Sequence, residues 1–563
     1  MDYMEKYKEW LNNDFFDPET TKELESIKGN DDEIKDRFYT DLEFGTAGLR
    51  GKIGAGTNRM NQYIIARATQ GLAEVIKDHG ETAMKKGVAI AYDCRHFSDL
   101  FAKTAALVLA QNGIKAYLFE SLRSTPELSF AVRYLKTQSG IVVTASHNPQ
   151  AYNGYKVYWK EGSQILRDIA DPITEYIKHI TDFSSIKQMD EKEALDKGLL
   201  QYIGEDIDNA YLKMVKSLSL RDDVNKDLRI VYTPLNGTGN FPVRKVLADR
   251  GFKNVFVVPE QEKPDPDFTT VGYPNPEDLN AFQYAIDLGR KKNADLLLAT
   301  DPDCDRLAVM IKDGDKYVPF NGNQTGAILI KYILQALDEQ NRIPQNGVIV
   351  KSIVTGDMGE KIAEKYGVKT VESLTGFKNI CGKANEFEKT GEYEFIFGYE
   401  ESIGYVYGTQ VRDKDAVISS MLLVEAAGFF ARENKTLLDV LEGIYKEVGY
   451  KTEAPFSLVL EGMEGKKRIK RMMDAIRAHP PENIADMDVV AEIDFLDQAI
   501  IDVPGTNALK FILEDKSWFA IRPSGTEPKL KVYVYSNGED KNLSDEKAEI
   551  IQEAIKEMLY KVE

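Results

Sequence analysis

Short apolar runs alternate with stretches whose apolar residues recur every three or four positions, beginning near residue 60. Residues 87–92 predict a strand, 101–112 a helix, 114–119 a strand, 127–137 a helix and 140–143 another strand. Strands separated by helices of about 10–15 residues indicate βαβ units around a largely parallel sheet. The rhythm restarts at 228–232, ends at 294–299, and restarts at 347–350, with strands near 368–371 and 395–397. The tail breaks it: 509–513, 518–522 and 529–535 are strand-like and 544–560 is an amphipathic helix. The predicted fold class is three serial α/β domains with mixed, largely parallel sheets, followed by a C-terminal α+β domain. Boundaries set in charged stretches give 1–215, which opens with a helical extension, then 216–338, 339–450 and 451–563. Three units in series suggest copies of one ancestor, yet no residue-level repeat is visible.

At about 150 residues per domain, 563 residues agree with four domains. Lys and Arg total 72 against 91 Asp and Glu, a net charge of −19. That sign argues against nucleic-acid or anionic-membrane partners, but leaves room for a locally basic site that takes a small anion. Cys94, Cys304 and Cys381 are widely spaced, which gives neither a disulfide framework nor a zinc knuckle. The N-terminus lacks the basic and apolar regions of a secretory signal. The most apolar stretch, 416–431, carries Glu425 and is short for a bilayer, so it predicts a buried core helix. A cytoplasmic protein is expected, monomer or homodimer, with small-molecule partners.

Four loops carry candidate chemistry. Thr144-Ala145-Ser146-His147-Asn148-Pro149 leaves the carboxyl end of a predicted strand, where α/β sheets place reactive groups. It is not a G-x-S-x-G elbow, and a plain Asn-Pro turn fits it too. Asp301-Pro302-Asp303-Cys304-Asp305-Arg306 follows an apolar run. Three carboxylates so close repel unless a cation sits among them, and Mg²⁺ suits oxygen ligands with positions left open for substrate. An EF-hand needs Gly and Glu where Arg306 and Lys312 stand. A phosphatase with Asp301 as nucleophile is a weaker reading. Gly398-Tyr399-Glu400-Glu401-Ser402-Ile403-Gly404 sets carboxylate and hydroxyl two apart, suited to gripping sugar hydroxyls, with Lys414 downstream as an acid/base candidate. Arg522-Pro523-Ser524-Gly525-Thr526-Glu527-Pro528, ending in Lys529-Leu530-Lys531, has the donors of a phosphate cradle, although a Pro/Gly turn between strands fits as well. No Walker A sequence is present.

In this order, and with Phe44-Gly45-Thr46-Ala47-Gly48-Leu49-Arg50-Gly51 before them, these loops resemble the α-D-phosphohexomutases over nearly the whole chain. Thr375-Gly376-Phe377-Lys378 and the N-terminal extension are most similar to the long phosphoglucomutase/phosphopentomutase branch. The resemblance implies that Ser146 is a phosphoserine and that Asp301, Asp303 and Asp305 hold Mg²⁺ together with a phosphate oxygen on Ser146. Arg306 and Arg50 then lie near the transferring group, with His147 and Lys414 as acid/base candidates. Thr375, Gly376, Glu400 and Ser402 meet the sugar, and Lys378 reaches toward its phosphate. Arg522, Ser524, Gly525, Thr526 and Lys531 clamp the non-reacting phosphate. It also implies four domains around a central cleft, and interconversion of α-glucose 1-phosphate and glucose 6-phosphate through glucose 1,6-bisphosphate. Pentose or mannose phosphates, or synthesis of a sugar bisphosphate, are the rival activities. Cys304 stands where the family usually has Ala, Lys531 where Arg is frequent, and Ile403 where Gly is; the last leaves sugar choice open.

Overall fold

The computed structural model describes residues 2–45, 48–460, 462–497, 505–524 and 529–562. Its first three sheets repeat one arrangement. In the first, Val88–Tyr92 lies parallel between Ala116–Phe119 and Ser139–Val143, and Ser139–Val143 turns back antiparallel into Tyr152–Trp159. In the second, Ile230–Thr233 lies between Val255–Val257 and Leu296–Thr300, which turns back into Leu307–Asp313. In the third, Gly347–Ser352 lies between Lys369–Ser373 and Glu394–Glu400, which turns back into Gly404–Tyr407. A repeat invisible residue by residue is therefore present in strand order. The fourth sheet is antiparallel throughout and carries Lys541–Tyr560 against it. Three α/β domains with mixed sheets and an α+β domain are the architecture expected.

The pattern of apolar positions does not mark the returning strands. Tyr152–Trp159 begins Tyr-Asn-Gly, a turn signal, and nearly all its residues are buried, so no alternation shows. Each return also forces a non-glycine residue into the left-handed region: Ser146 at φ 51°, Cys304 at 56° and Ile403 at 54°. Such a conformation costs on the order of 1–2 kcal/mol, and is least natural for a β-branched side chain. The strain falls at the same place in all three units, where the chain reverses over the carboxyl end of its sheet.

Ala416–Ala431 is the buried helix its composition predicts. Its Glu425 is fully buried, yet it accepts from the backbone N–H of Leu220 (2.8 Å) and Arg221 (2.9 Å) and from Tyr332 Oη (2.7 Å), and pairs with Arg250. A buried charge with this many donors is tolerated, and here it ties the link between the first two units to the third. The N-terminal helices Tyr3–Asn12, Pro18–Ser26 and Asp31–Phe38 close over an aromatic cluster in which Trp10 stacks on Phe16 at 4.2 Å. Among the described residues no helix is long and apolar enough to cross a membrane.

Candidate active site

The reversal after Ser139–Val143 is held from below. Ser146 N donates to Thr144 Oγ1 (2.8 Å), and Thr144 Oγ1 donates to buried Asp93 (2.6 Å). Arg95, paired with Asp93, donates to the carbonyls of Ser146, Asn148, Pro149 and Tyr152. One guanidinium thus fastens four carbonyls of the loop, and Arg50 reaches it at Asn148 Oδ1 (3.2 Å). With that backbone fixed, Ser146 Oγ donates to Asp301 Oδ2 at 2.7 Å, across the junction of the first two domains, and lies 3.4 Å from His147 Nδ1. Neither Asp93 nor Arg95 stands out in the sequence, although Asp93-Cys94-Arg95 follows a predicted strand as the other motif loops do. Arg95→Lys keeps the charge and loses the fork. It is expected to lower kcat by about 10²-fold through misplacement of the serine, checked by steady-state kinetics beside an unchanged circular dichroism spectrum.

Asp301, Asp303 and Asp305 are all buried, and their carboxylate oxygens lie within 4.8 Å of one another. Asp301 Oδ1 accepts from the backbone N–H of Asp305 (3.1 Å) and Arg306 (3.0 Å). Thr125 Oγ1 and Lys156 Nζ each donate to Asp303 Oδ2 at 2.7 Å, and Lys414 Nζ lies 3.0 Å from Asp305 Oδ2. The other oxygens, Asp303 Oδ1 and Asp305 Oδ1, are buried and unpaired. Two orphaned carboxylate oxygens beside a third carboxylate are a poor arrangement for protein alone and a good one for a divalent cation. Lys156 is a second residue the sequence conceals; its only signal is one lysine inside the apolar strand Tyr152–Trp159.

Burial, then the positive charges of Arg306 and Arg50, push the His147 imidazole well below its usual range, so the ring is neutral at neutral pH. Lys414 behaves oppositely. Burial works against its charge, but Asp305, Asp413 and Glu400 outweigh it and raise it above the ordinary lysine range. Burial draws Lys378 down to about 8, helped by the positive charge of Arg167.

The third and fourth units complete the surroundings. Glu400 accepts from Gly376 N–H at 2.7 Å, which joins the two predicted sugar-facing loops, with Thr375 immediately before that glycine. Ser402 and Lys531 line a single cavity of about 730 Å³ between the second, third and fourth domains, together with Glu277, to which Arg306 donates at 3.1 Å. Arg522 and Lys531 sit directly opposite each other on antiparallel strands. Like charges in that register destabilise a sheet, and Lys531 is lowered by burial and then by Arg522; an anion resting on both relieves the conflict. Ser524 N closes the hairpin on Lys529 O at 2.7 Å. Gly525 and Thr526 of the predicted clamp lie outside the described residues.

A serine against a carboxylate triad, two lysines compensating that triad and a cationic hairpin across a cavity suit phosphoryl transfer to or from a phosphorylated small molecule. All four domains of the phosphoglucomutase/phosphomannomutase family match this chain: alpha/beta/alpha domain I at residues 41–183, domain II at 209–314, domain III at 321–448 and the C-terminal domain at 459–553. A phosphoglucomutase of Staphylococcus haemolyticus is 38% identical over 512 residues, covering 89% of this chain and 91% of the relative. A phosphoglucomutase of Staphylococcus aureus is 38% identical over 517 residues, covering 90% and 91%. Among solved structures, the pp63/parafusin phosphoglucomutase of Paramecium in an open form shares the fold at a TM-score of 0.68 and 19% identity, covering 93% of this chain and 95% of that one. A phosphoglucomutase/phosphomannomutase family protein of Burkholderia thailandensis does so at 0.68 and 19%, covering 92% and 97%. The chain belongs to the phosphoglucomutase/phosphomannomutase family. It is a phosphosugar mutase, an isomerase.

Proposed function

We propose that this mutase interconverts α-D-glucose 1-phosphate and D-glucose 6-phosphate through a phosphoserine at Ser146 and a bound glucose 1,6-bisphosphate. The contact between Ser146 Oγ and Asp301, inside a buried carboxylate triad with two unpaired oxygens, carries the reading. Asp301, Asp303 and Asp305 would hold Mg²⁺ with a phosphate oxygen on Ser146. Held there, the ion would neutralise charge on the phosphoryl oxygens, the main task in such transfers.

The chain's own residues divide the remaining work. In the forward half, the bond from phosphorus to Ser146 Oγ breaks and one forms to the free sugar hydroxyl, whose proton passes by way of His147 to Ser146 Oγ, leaving a bisphosphate and a free serine hydroxyl. The bisphosphate turns round, so that its other phosphate faces Ser146 and the new one rests on Arg522 and Lys531. In the return half Ser146 Oγ takes that phosphate as its bond to the sugar oxygen breaks, and the serine proton goes to Nδ1 of neutral His147 and from there to the departing sugar oxygen. Lys414, held protonated by Asp305 and Asp413, is a poor base; with Arg306 and Arg50 it supplies positive charge. Glu400, Ser402, Thr375 and Gly376 hold the sugar in both orientations, Lys378 meets its phosphate, and Ser524, Gly525 and Thr526 complete the distal clamp.

Glucose is favoured over pentose or mannose phosphates by the names of the two staphylococcal relatives. The test is the intact mass of the protein before and after incubation with glucose 1,6-bisphosphate, with localisation of any added phosphate. A phosphate on Ser146 that glucose 1-phosphate or glucose 6-phosphate removes is the expected result. Label on Asp301 would point to a phosphatase, and discharge by a pentose phosphate alone would overturn the choice of sugar.

A further inference from the structure

A second cavity, of about 560 Å³, opens at the far end of the first domain from Ser146. Lys86, Thr137 and Lys160 line it, and they flank the ends of strands Val88–Tyr92, Ser139–Val143 and Tyr152–Trp159 opposite the Ser146 loop. The five-residue strand Ser139–Val143 separates the two sites by roughly 15 Å. The cavity belongs to no part of the transfer machinery.

Its chemistry is unusual for this chain. Four cations, Lys86, Arg133, Lys136 and Lys160, line it with no acidic residue among them, in a protein of net charge −19. Arg133 is already paired with Glu388 at 2.9 Å. Lys86, Lys136 and Lys160 are exposed and make no ion pair among the described residues. Such like charges converging on one concavity repel unless an anion joins them. The helix Thr125–Leu135 ends here, and two of its last carbonyls, those of Val132 and Arg133, are taken by the backbone N–H groups of Lys136 and Thr137, which lessens the opposition of the helix end to an anion. The wall is aromatic: Phe130 and Tyr134 stack at 5.3 Å, and Tyr134 remains 55% exposed, with a ring surface available. Thr409 and Gln410 of the third domain complete the rim.

We propose that this cavity binds a nucleoside polyphosphate, its base stacked on Tyr134 and its phosphates spread over Lys86, Lys136 and Lys160. A base on an aromatic face and phosphates on lysine ammonium groups are separately sufficient contacts, and only a ligand carrying both uses the whole cavity. The site is also placed to be felt at a distance. The other end of helix Thr125–Leu135 donates from Thr125 to Asp303 in the triad, and the carbonyl of Thr409 accepts from Arg412, two residues before Lys414.

The test is isothermal titration of the full-length protein with Mg·ATP, and with inorganic tripolyphosphate, while glucose 6-phosphate saturates the catalytic cleft. Expected is saturable ATP binding that Lys136→Ala/Lys160→Ala weakens at least tenfold, with mutase kcat unchanged. Tyr134→Ala should weaken ATP severalfold and leave tripolyphosphate as it was. No saturable binding of ATP, or binding indifferent to the lysine pair, would overturn the proposal. Equal affinity for ATP and tripolyphosphate, unmoved by Tyr134→Ala, would overturn the nucleoside part and leave an inorganic polyanion site instead.

Discussion

Ser146→Ala is expected to lower mutase kcat by about 10⁴-fold or more, the scale on which enzymes lose their nucleophile, while the sugar phosphate still binds. The prediction is sharp because nothing else in the site can replace the hydroxyl. Asp301 loses its Oδ2 partner in the variant, but its Oδ1 still accepts from two backbone N–H groups, and as a ligand of the divalent cation in this reading it would be a poor substitute nucleophile. The variant should take up no phosphate from glucose 1,6-bisphosphate by intact mass. A coupled assay for glucose 6-phosphate measures the activity, and a variant retaining a tenth of it would sink the phosphoserine reading.

The second large effect concerns the triad. Chelation of divalent metal is expected to cost several kcal/mol of transition-state stabilisation, about 10²–10³-fold in kcat or more, restored by Mg²⁺. Lys156→Met separates this loss from collapse of the fold. It leaves Asp303 buried and stripped of its ion-pair partner, which in metal-free protein should destabilise by about 3–5 kcal/mol. A cation at the triad takes over the lost compensation, so the thermal midpoint of the variant should rise more on adding Mg²⁺ than that of the parent. Equal shifts in the two proteins, read by calorimetry, would show that Lys156 and the cation do not share the same carboxylates.

Much of this was legible in the chain because three of the motif loops follow strands that are buried over all or nearly all of their length. Val143, Thr300 and Glu400 end such strands, and the apolar runs announce the strands while the polar residues after them announce the loops. What the chain conceals are the supports. Arg95 acts through carbonyls, which carry no side-chain signature, and Lys156 acts from a strand whose turn-like opening and full burial hide its period. The Arg522–Lys531 conflict is a matter of register, and register appears only once the hairpin is paired. The triplication was hidden for the same reason, since strand order can persist when no residue does. Ile403 shows the converse. Its departure from the family's Gly reads in sequence as a change of sugar contact, whereas in the structure it is first a backbone strain at φ 54°.

Ser146 and the triad belong to different sheets, and the polar contacts that join them are Ser146 to Asp301, Lys156 to Asp303 and Asp305, and Thr125 to Asp303 through both side chain and backbone. The proposed catalytic centre is therefore not a property of any one domain, and it lasts only as long as the two units stay docked. Domain junctions open at lower free energy than cores. In a urea titration, activity should accordingly vanish before the far-ultraviolet circular dichroism signal changes, with each sheet still intact on both sides of a parted seam.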